Sequence, residues 1–142
     1  MIRNFRESDL HDIRNVYERS NSAVSLKVGP DFFRHDSRNF IAKTIRSCRS
    51  LVCEREGKAV GIIACSQDYI EGLFVLPEYW NKGIGSELLN SATAGKDEIS
   101  LQVYADNKRA VGFYQKHGFE IVGSGICRMT RLPYLEMRKT SA

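Results

Sequence analysis

The feature that most limits what this chain can become is the stretch from Tyr69 to Ala92, which reads as strand, glycine-bearing turn and helix in succession. Tyr69-Ile70-Glu71-Gly72-Leu73-Phe74-Val75-Leu76 is apolar and rich in β-formers, the pattern of a strand buried on both faces. Pro77 ends it, because proline cannot donate to a ladder. Beyond Trp80, Asn81-Lys82-Gly83-Ile84-Gly85-Ser86 opens a helical pattern that puts Ile84, Leu88, Leu89 and Ala92 on one face. Two glycines beside a helix start let several backbone N–H groups converge on one anion, and the helix dipole adds positive potential there. The stretch therefore predicts a phosphate or pyrophosphate cradle.

Two familiar cradles do not fit. A dinucleotide fingerprint needs a third glycine where Leu88 stands, and a P-loop needs Gly-Lys-Ser/Thr closing a longer loop. The second half of the chain carries the further signal: between Leu101 and Phe119 come Asn107, Ala110, Phe113-Tyr114 and Gly118-Phe119 at fixed spacing. Together the two segments resemble the Gcn5-related N-acetyltransferase (GNAT) family. The first resembles its pyrophosphate-binding Gln/Arg-x-x-Gly-x-Gly/Ala motif, and the second its Asn-x-x-Ala-x-x-Phe-Tyr-x-x-x-Gly-Phe signature. Met1-Ile2-Arg3 with Asp9-Leu10 resembles the family's opening strand and first helix, so the resemblance covers the whole chain. Trp80 departs from the pattern, standing where the family usually has Gln or Arg.

The chain has 142 residues, which fits one domain, 1–142, with a real core. Its 42% hydrophobic and 27% charged residues are those of a soluble globule, and the net charge of +4 reads as a slightly basic surface rather than a nucleic-acid footprint. No apolar run reaches membrane-spanning length, and Arg3, Arg6, Glu7 and Asp9 do not make a signal peptide. Cys48, Cys53, Cys65 and Cys127 lack C-x-x-C pairing, and His11, His35 and His117 are scattered, so no metal site is expected. Lone thiols without a secretory signal point to a reducing cytoplasm.

In chain order, Ile2 to Arg6 reads as a strand, and Ser8 or Asp9 can cap a helix with Leu10, Ile13, Val16 and Tyr17 on one side. Ser20 to Pro30 reads as a loop, and Phe32-Phe33, Phe40-Ile41 and Ile45 as a second helix ending near Ser47. Ser50–Glu56 and Lys58–Ser66 form a hairpin around Glu56-Gly57-Lys58. Ile99 to Tyr104 is a strand parallel to the central one, and Asp106 or Asn107 caps the next helix, which ends at Gly118. Phe119–Val122 and Leu135–Arg138 are final strands, with Gly123, Gly125 and Pro133 in the loop between. The resemblance implies an α+β GNAT (acyl-CoA N-acyltransferase) fold, a mixed central sheet of about six to seven strands flanked by helices.

It also implies a site. Cofactor contacts carry over to Leu73, Phe74 and Val75, whose main chain matches the strand that pairs with pantetheine, then to Lys82, Gly83, Ile84, Gly85 and Ser86, and to Asn107. Tyr114 matches the residue that points at the thioester sulfur. A phenol of pKa about 10 can protonate a departing thiolate, although a core tyrosine is the plain alternative. Gln102 stands where many members have a glutamate, and glutamine cannot act as a base. Glu71, working through a water, is the candidate; an exposed carboxylate paired with a surface Arg is the competing reading. Gly72 marks a bulge, a close backbone approach or a packing glycine.

Phe32, Phe33, Arg34 and His35, the segment Ser124 to Pro133 and Tyr134 fall where the family reads its acceptor. The expected activity is transfer of the acetyl group of acetyl-CoA to a primary amine, a protein lysine or N-terminus or a small amine, in a ternary complex. The expected state is a monomer or homodimer. An acetyl-CoA-sensing module that regulates a partner protein is the alternative.

Overall fold

Turn chemistry sets the first sheet element. Glu56 and Gly57 have φ of 53° and 77°, the left-handed pair of a two-residue hairpin turn. They join β2 (Arg49–Arg55) to β3 (Lys58–Ser66), the register running from Arg49 opposite Cys65 to Arg55 opposite Lys58. β1 (Ile2–Asn4) adds antiparallel to β2, with Ile2 opposite Cys53. The computed structural model describes residues 1–21, 27 and 29–140, and for residues 30–33 the backbone course alone. The loop expected over Ser20 to Pro30 lies mostly outside the described residues, as do the side chains of Phe32 and Phe33.

The chain forms two compact units, Met1–Gln67 with Glu71–Ala94, and Asp68–Ile70 with Gly95–Ala142. In the first, α1 (Leu10–Ser20) buries Ile13, Val16 and Tyr17 at its expected spacing, while Leu10 is only half-buried. α2 (Pro30–Asn39) continues through a π-helical turn, Phe40–Thr44, to Ser47, burying Phe40, Ile41 and Ile45. β4 (Tyr69–Val75) leads through a 3-10 turn, Pro77–Tyr79, to α3 (Ile84–Thr93). α3 buries Ile84, Leu88, Leu89 and Ala92, the four residues its periodicity selects. It lies close on β3 because Gly61 has no side chain: a Cβ there would stand 3.1 Å from Leu88 Cδ1 and 3.2 Å from Ile84 Cγ2.

β4 is not buried on both faces as expected. Ile70 and Val75 are buried, Gly72 to Phe74 are half-buried and Glu71 is exposed.

In the second unit, β5 (Glu98–Tyr104) pairs in parallel with the start of β4, Tyr69 opposite Ser100 and Ile70 opposite Leu101. It pairs antiparallel along its length with β7 (Pro133–Thr140), which pairs with β6 (Glu120–Ile126). α4 (Lys108–Lys116) lies between β5 and β6 in sequence. The last two strands are longer than the sequence suggests, and Gly123 and Gly125 belong to β6 rather than to a loop. Gly125 is there for space: its Cβ would lie 2.6 Å from Tyr134 Oη on the facing strand. Along the hydrogen-bonded sheet the order is β1-β2-β3-β4-β5-β7-β6, a seven-stranded mixed α+β arrangement.

The expected α1 cap is also different. Asp9, only 5% exposed, turns its carboxylate to Arg3, whose guanidinium donates to both oxygens at 2.8 and 2.9 Å, while the Arg6 N–H donates at 2.8 Å. Arg3 Nε also donates to Glu54 at 2.8 Å, tying β1 to β2. Hydrogen bonding to Arg3 holds the Asp9 carboxyl below its ordinary value against the opposing effect of burial, with the Arg6 N–H adding to it. A lowered folded pKa stabilises the fold above the unfolded value and loses that effect as pH falls through the folded value. Asp9→Asn is expected to lose about 1.5–3 kcal/mol at pH 7, because Arg3 loses its two-pronged carboxylate partner and keeps only Glu54. Urea unfolding from pH 7 downward should show the gap to wild type closing once the pH passes below about 4.

Candidate active site

The cradle predicted at the start of α3 has the required backbone. Asn81 and Gly83 have φ of 63° and 83°, two left-handed positions one residue apart. Gly83 is the N-cap of α3, no side chain caps that end, and the first helical bond runs from the Glu87 N–H to the Gly83 carbonyl at 3.0 Å. The donors at Ile84, Gly85 and Ser86 precede that bond, as in any helix start. Asn81, Lys82 and Gly83 are exposed, and a Cβ on Gly83 would meet nothing within 4 Å. Lys82 lies with its ammonium 5.6 Å from the centre of the Tyr79 ring. A left-handed glycine N-cap, a helix dipole and a nearby cation make a site for an anion.

Trp80 stands where the resembled motif carries a polar Gln or Arg. Its indole Nε1–H instead donates to the Val75 carbonyl at 2.7 Å. Of the three expected pantetheine contacts, Val75 thus already uses its carbonyl within the chain. The Phe74 ring packs edge-on to Tyr17 and Phe40, with centroids 4.9 and 5.3 Å away. Gly72 serves that packing: a Cβ on it would lie 2.6 Å from Phe74 Cε2 and 3.0 Å from Phe40 Cε1. Tyr17 donates its hydroxyl to Asp36. At the turn before the cradle, Arg19 holds Glu78 through two bonds of 2.8 Å.

In the second unit, Asn107 is the N-cap of α4, its Oδ1 accepting from the Ala110 N–H at 3.2 Å. The helix closes at Gly118 (φ 92°), with Phe119 N–H bonded to the Tyr114 carbonyl at 3.0 Å and Gly118 N–H to Gln115 at 3.1 Å. Tyr114 is 7% exposed, its ring edge-on to Phe113 and Phe119 at 5.3 and 5.4 Å. Burial lowers the pKa of Arg109, and interaction with Tyr114 opposes that shift, so this cation and this phenol are neighbours.

Glu71 is exposed and forms no ion pair among the described residues, which removes the surface-Arg reading for it. Burial raises the pKa of the Cys48 thiol, a hydrogen bond with Ser47 opposes this, and the charge of Glu71 adds to the rise. The carboxylate therefore lies near the start of β2. Gln102 is exposed on β5 directly opposite Glu136 of β7, a carboxylate that sequence reading passed over. Only the strand register reveals that pairing. Among the described residues, no group of three His, Cys, Asp or Glu side chains is placed to hold a metal, and no helix is long and apolar enough to cross a membrane.

A mixed sheet with an open, glycine-capped helix start after its central strand is the arrangement of an acyl-CoA-type transferase. The sequence matches the Acetyltransferase (GNAT) family model over residues 10–119. The chain belongs to that family and is an acyltransferase. It is 26% identical over 134 residues to the peptidyl-lysine N-acetyltransferase YiaC of Escherichia coli, covering 94% of this chain and 92% of that one. Against the peptidyl-lysine N-acetyltransferase YjaB of the same organism it is 28% identical, covering 86% and 83%. The solution structure of apo-form YjaB superposes with a TM-score of 0.84 at 23% identity, covering 100% and 98%. The PaiA N-acetyltransferase from Thermoplasma acidophilum, a crystal structure in complex with coenzyme A, gives 0.80 at 21%, covering 99% and 98%. These likenesses share the fold.

Asn107→Ala is expected to cost about 1 kcal/mol in thermal or urea unfolding with no ligand added, because the cap is lost from α4.

Proposed function

We propose that this chain moves the acetyl group of acetyl-CoA to a primary amine by direct attack in a ternary complex. The observation that carries the reading is the start of α3: a left-handed Gly83 N-cap with no side chain of its own, entered from an exposed turn, Asn81 to Gly83, that carries Lys82. That is a fit for a diphosphate, and Gly83, Ile84, Gly85 and Ser86 supply the donors. Leu73 and Phe74 offer main-chain groups to pantetheine, in support of which the parallel ladder with β5 is confined to Tyr69 and Ile70. Both units would serve one catalytic domain. For the acceptor, likeness to the peptidyl-lysine N-acetyltransferases YiaC and YjaB favours the lysine side chain of a protein.

Attack by the neutral amine forms the new C–N bond, and collapse of the intermediate breaks the C–S bond. The amine proton has to leave and the thiolate has to gain one. Tyr114, buried among aromatic rings beside Arg109, takes the role of acid toward the sulfur. Glu71, exposed and free of ion pairs among the described residues, takes the role of base through a water.

The test is release of free coenzyme A thiol from acetyl-CoA against pooled peptides and amines. Turnover with lysine peptides supports the reading, whereas tight cofactor binding without thiol release favours the sensing module. Tyr114→Phe should lower kcat by about 10²-fold at unchanged fold, the usual scale for a lost acid. Glu71→Gln should leave a rate that climbs with pH toward the amine's own pKa near 10.4. An unchanged pH profile removes Glu71 from the mechanism, and Glu136→Gln provides the comparison.

A further inference from the structure

Trp80 is the only tryptophan in the chain. Its indole bond to the Val75 carbonyl, 2.7 Å long, joins the last residue of β4 to the residue just before the left-handed pair Asn81 and Gly83. Three main-chain bonds close the same segment: Leu76 N–H to Val60 at 2.9 Å, Tyr79 N–H to Leu76 at 2.9 Å, and Trp80 N–H to Pro77 at 3.1 Å. The chain is thus fixed up to Trp80 and exposed from Asn81 to Gly83. The direction in which it leaves Trp80 decides where the donors of Gly83 to Ser86 point.

We propose that Trp80 is a positioning residue for the diphosphate of coenzyme A. By gripping Val75 it presets the α3 donors before the ligand arrives, in place of a polar side chain that reaches the phosphates itself. A tryptophan suits this task. Its ring is rigid, half-buried against its own turn, and carries one donor and no charge. A loop already held in its binding geometry gives up less conformational freedom when the ligand binds. The effect of Trp80 should therefore appear in affinity for ligands that carry the diphosphate, and not in turnover of a pantetheine thioester that lacks it. This inference rests on the acetyl-CoA reading above.

The experiment is calorimetric titration of wild type and Trp80→Phe with coenzyme A and 3′-dephospho-coenzyme A, alongside turnover of acetylpantetheine. Phenylalanine keeps a ring in the turn and deletes the donor. The Kd of both diphosphate ligands should rise about 3–10-fold, the scale of one net hydrogen bond, while kcat/KM for acetylpantetheine stays at the wild-type value. In the wild type, where folding of a variant is not at issue, the tryptophan emission should shift on adding coenzyme A and not on adding pantetheine.

A wild-type Kd in Trp80→Phe overturns the proposal and leaves the acetyl-CoA reading standing. An equal loss on acetylpantetheine, or emission indifferent to saturating coenzyme A, overturns it as well. A wild type that shows no calorimetric binding of coenzyme A ends both.

Discussion

The start of α3 is a helix end whose N-cap residue has no side chain to close it, and the proposed site depends on it. A serine or aspartate at the N-cap would stabilise such an end by about 1 kcal/mol. Gly83 forgoes that and supplies instead a φ of 83° that carries the chain from the turn into the helix. The helix can tolerate the loss because its apolar face is well seated. Ile84, Leu88, Leu89 and Ala92 are all buried, and the missing side chain of Gly61 lets the helix settle against β3. Stability comes from packing on one side of α3, so its N-terminus is available for an anion.

The turn that precedes this helix is fixed by short-range interactions of unequal strength. Arg19 and Glu78 make a two-pronged ion pair, but both side chains are about half exposed, at 46% and 50%, so water and salt weaken it. Lys82 over Tyr79 is likewise a surface contact. The indole bond of Trp80 is part-buried, short and independent of salt. Of the three, it is the one whose strength does not depend on the ionic surroundings that a polyanionic ligand itself brings.

Periodic and local features were legible in the sequence. The buried face of α3, the Glu56-Gly57 hairpin and the Gly118 helix end each follow from spacing or from one residue's conformational freedom. Features that depend on a partner's position were not. Gly125 reads as a loop residue until Tyr134 is seen against it, and for Gly72 a bulge, a close approach and a packing role all stay open until the rings of Phe40 and Phe74 are in place. Asp9 has the composition of a helix cap, yet a bidentate arginine outcompetes the helix N–H groups for it. Trp80 was read by comparison with a motif, which lists what is missing and cannot show that the indole has a carbonyl to hold. The same limit hid Glu136, whose relation to Gln102 exists only in the strand register.

The polarity of the groups on offer adds a chemical constraint. At α3 the available groups are backbone donors, because the helix start presents N–H and no carbonyl. Asn107 spends its Oδ1 on the Ala110 N–H, so what its side chain can present to a ligand is the donating amide NH2. Each unit therefore favours a ligand made mostly of acceptors. Coenzyme A has that character: diphosphate oxygens, two amide carbonyls along pantetheine, and a sulfur that becomes a thiolate as the acetyl group leaves. A ligand rich in donors, such as a free polyamine, would find its acceptors elsewhere, among exposed carboxylates such as Glu71 and Glu136. On this division, the proposed reading gives the cofactor to backbone and side-chain donors and leaves the amine to groups that accept.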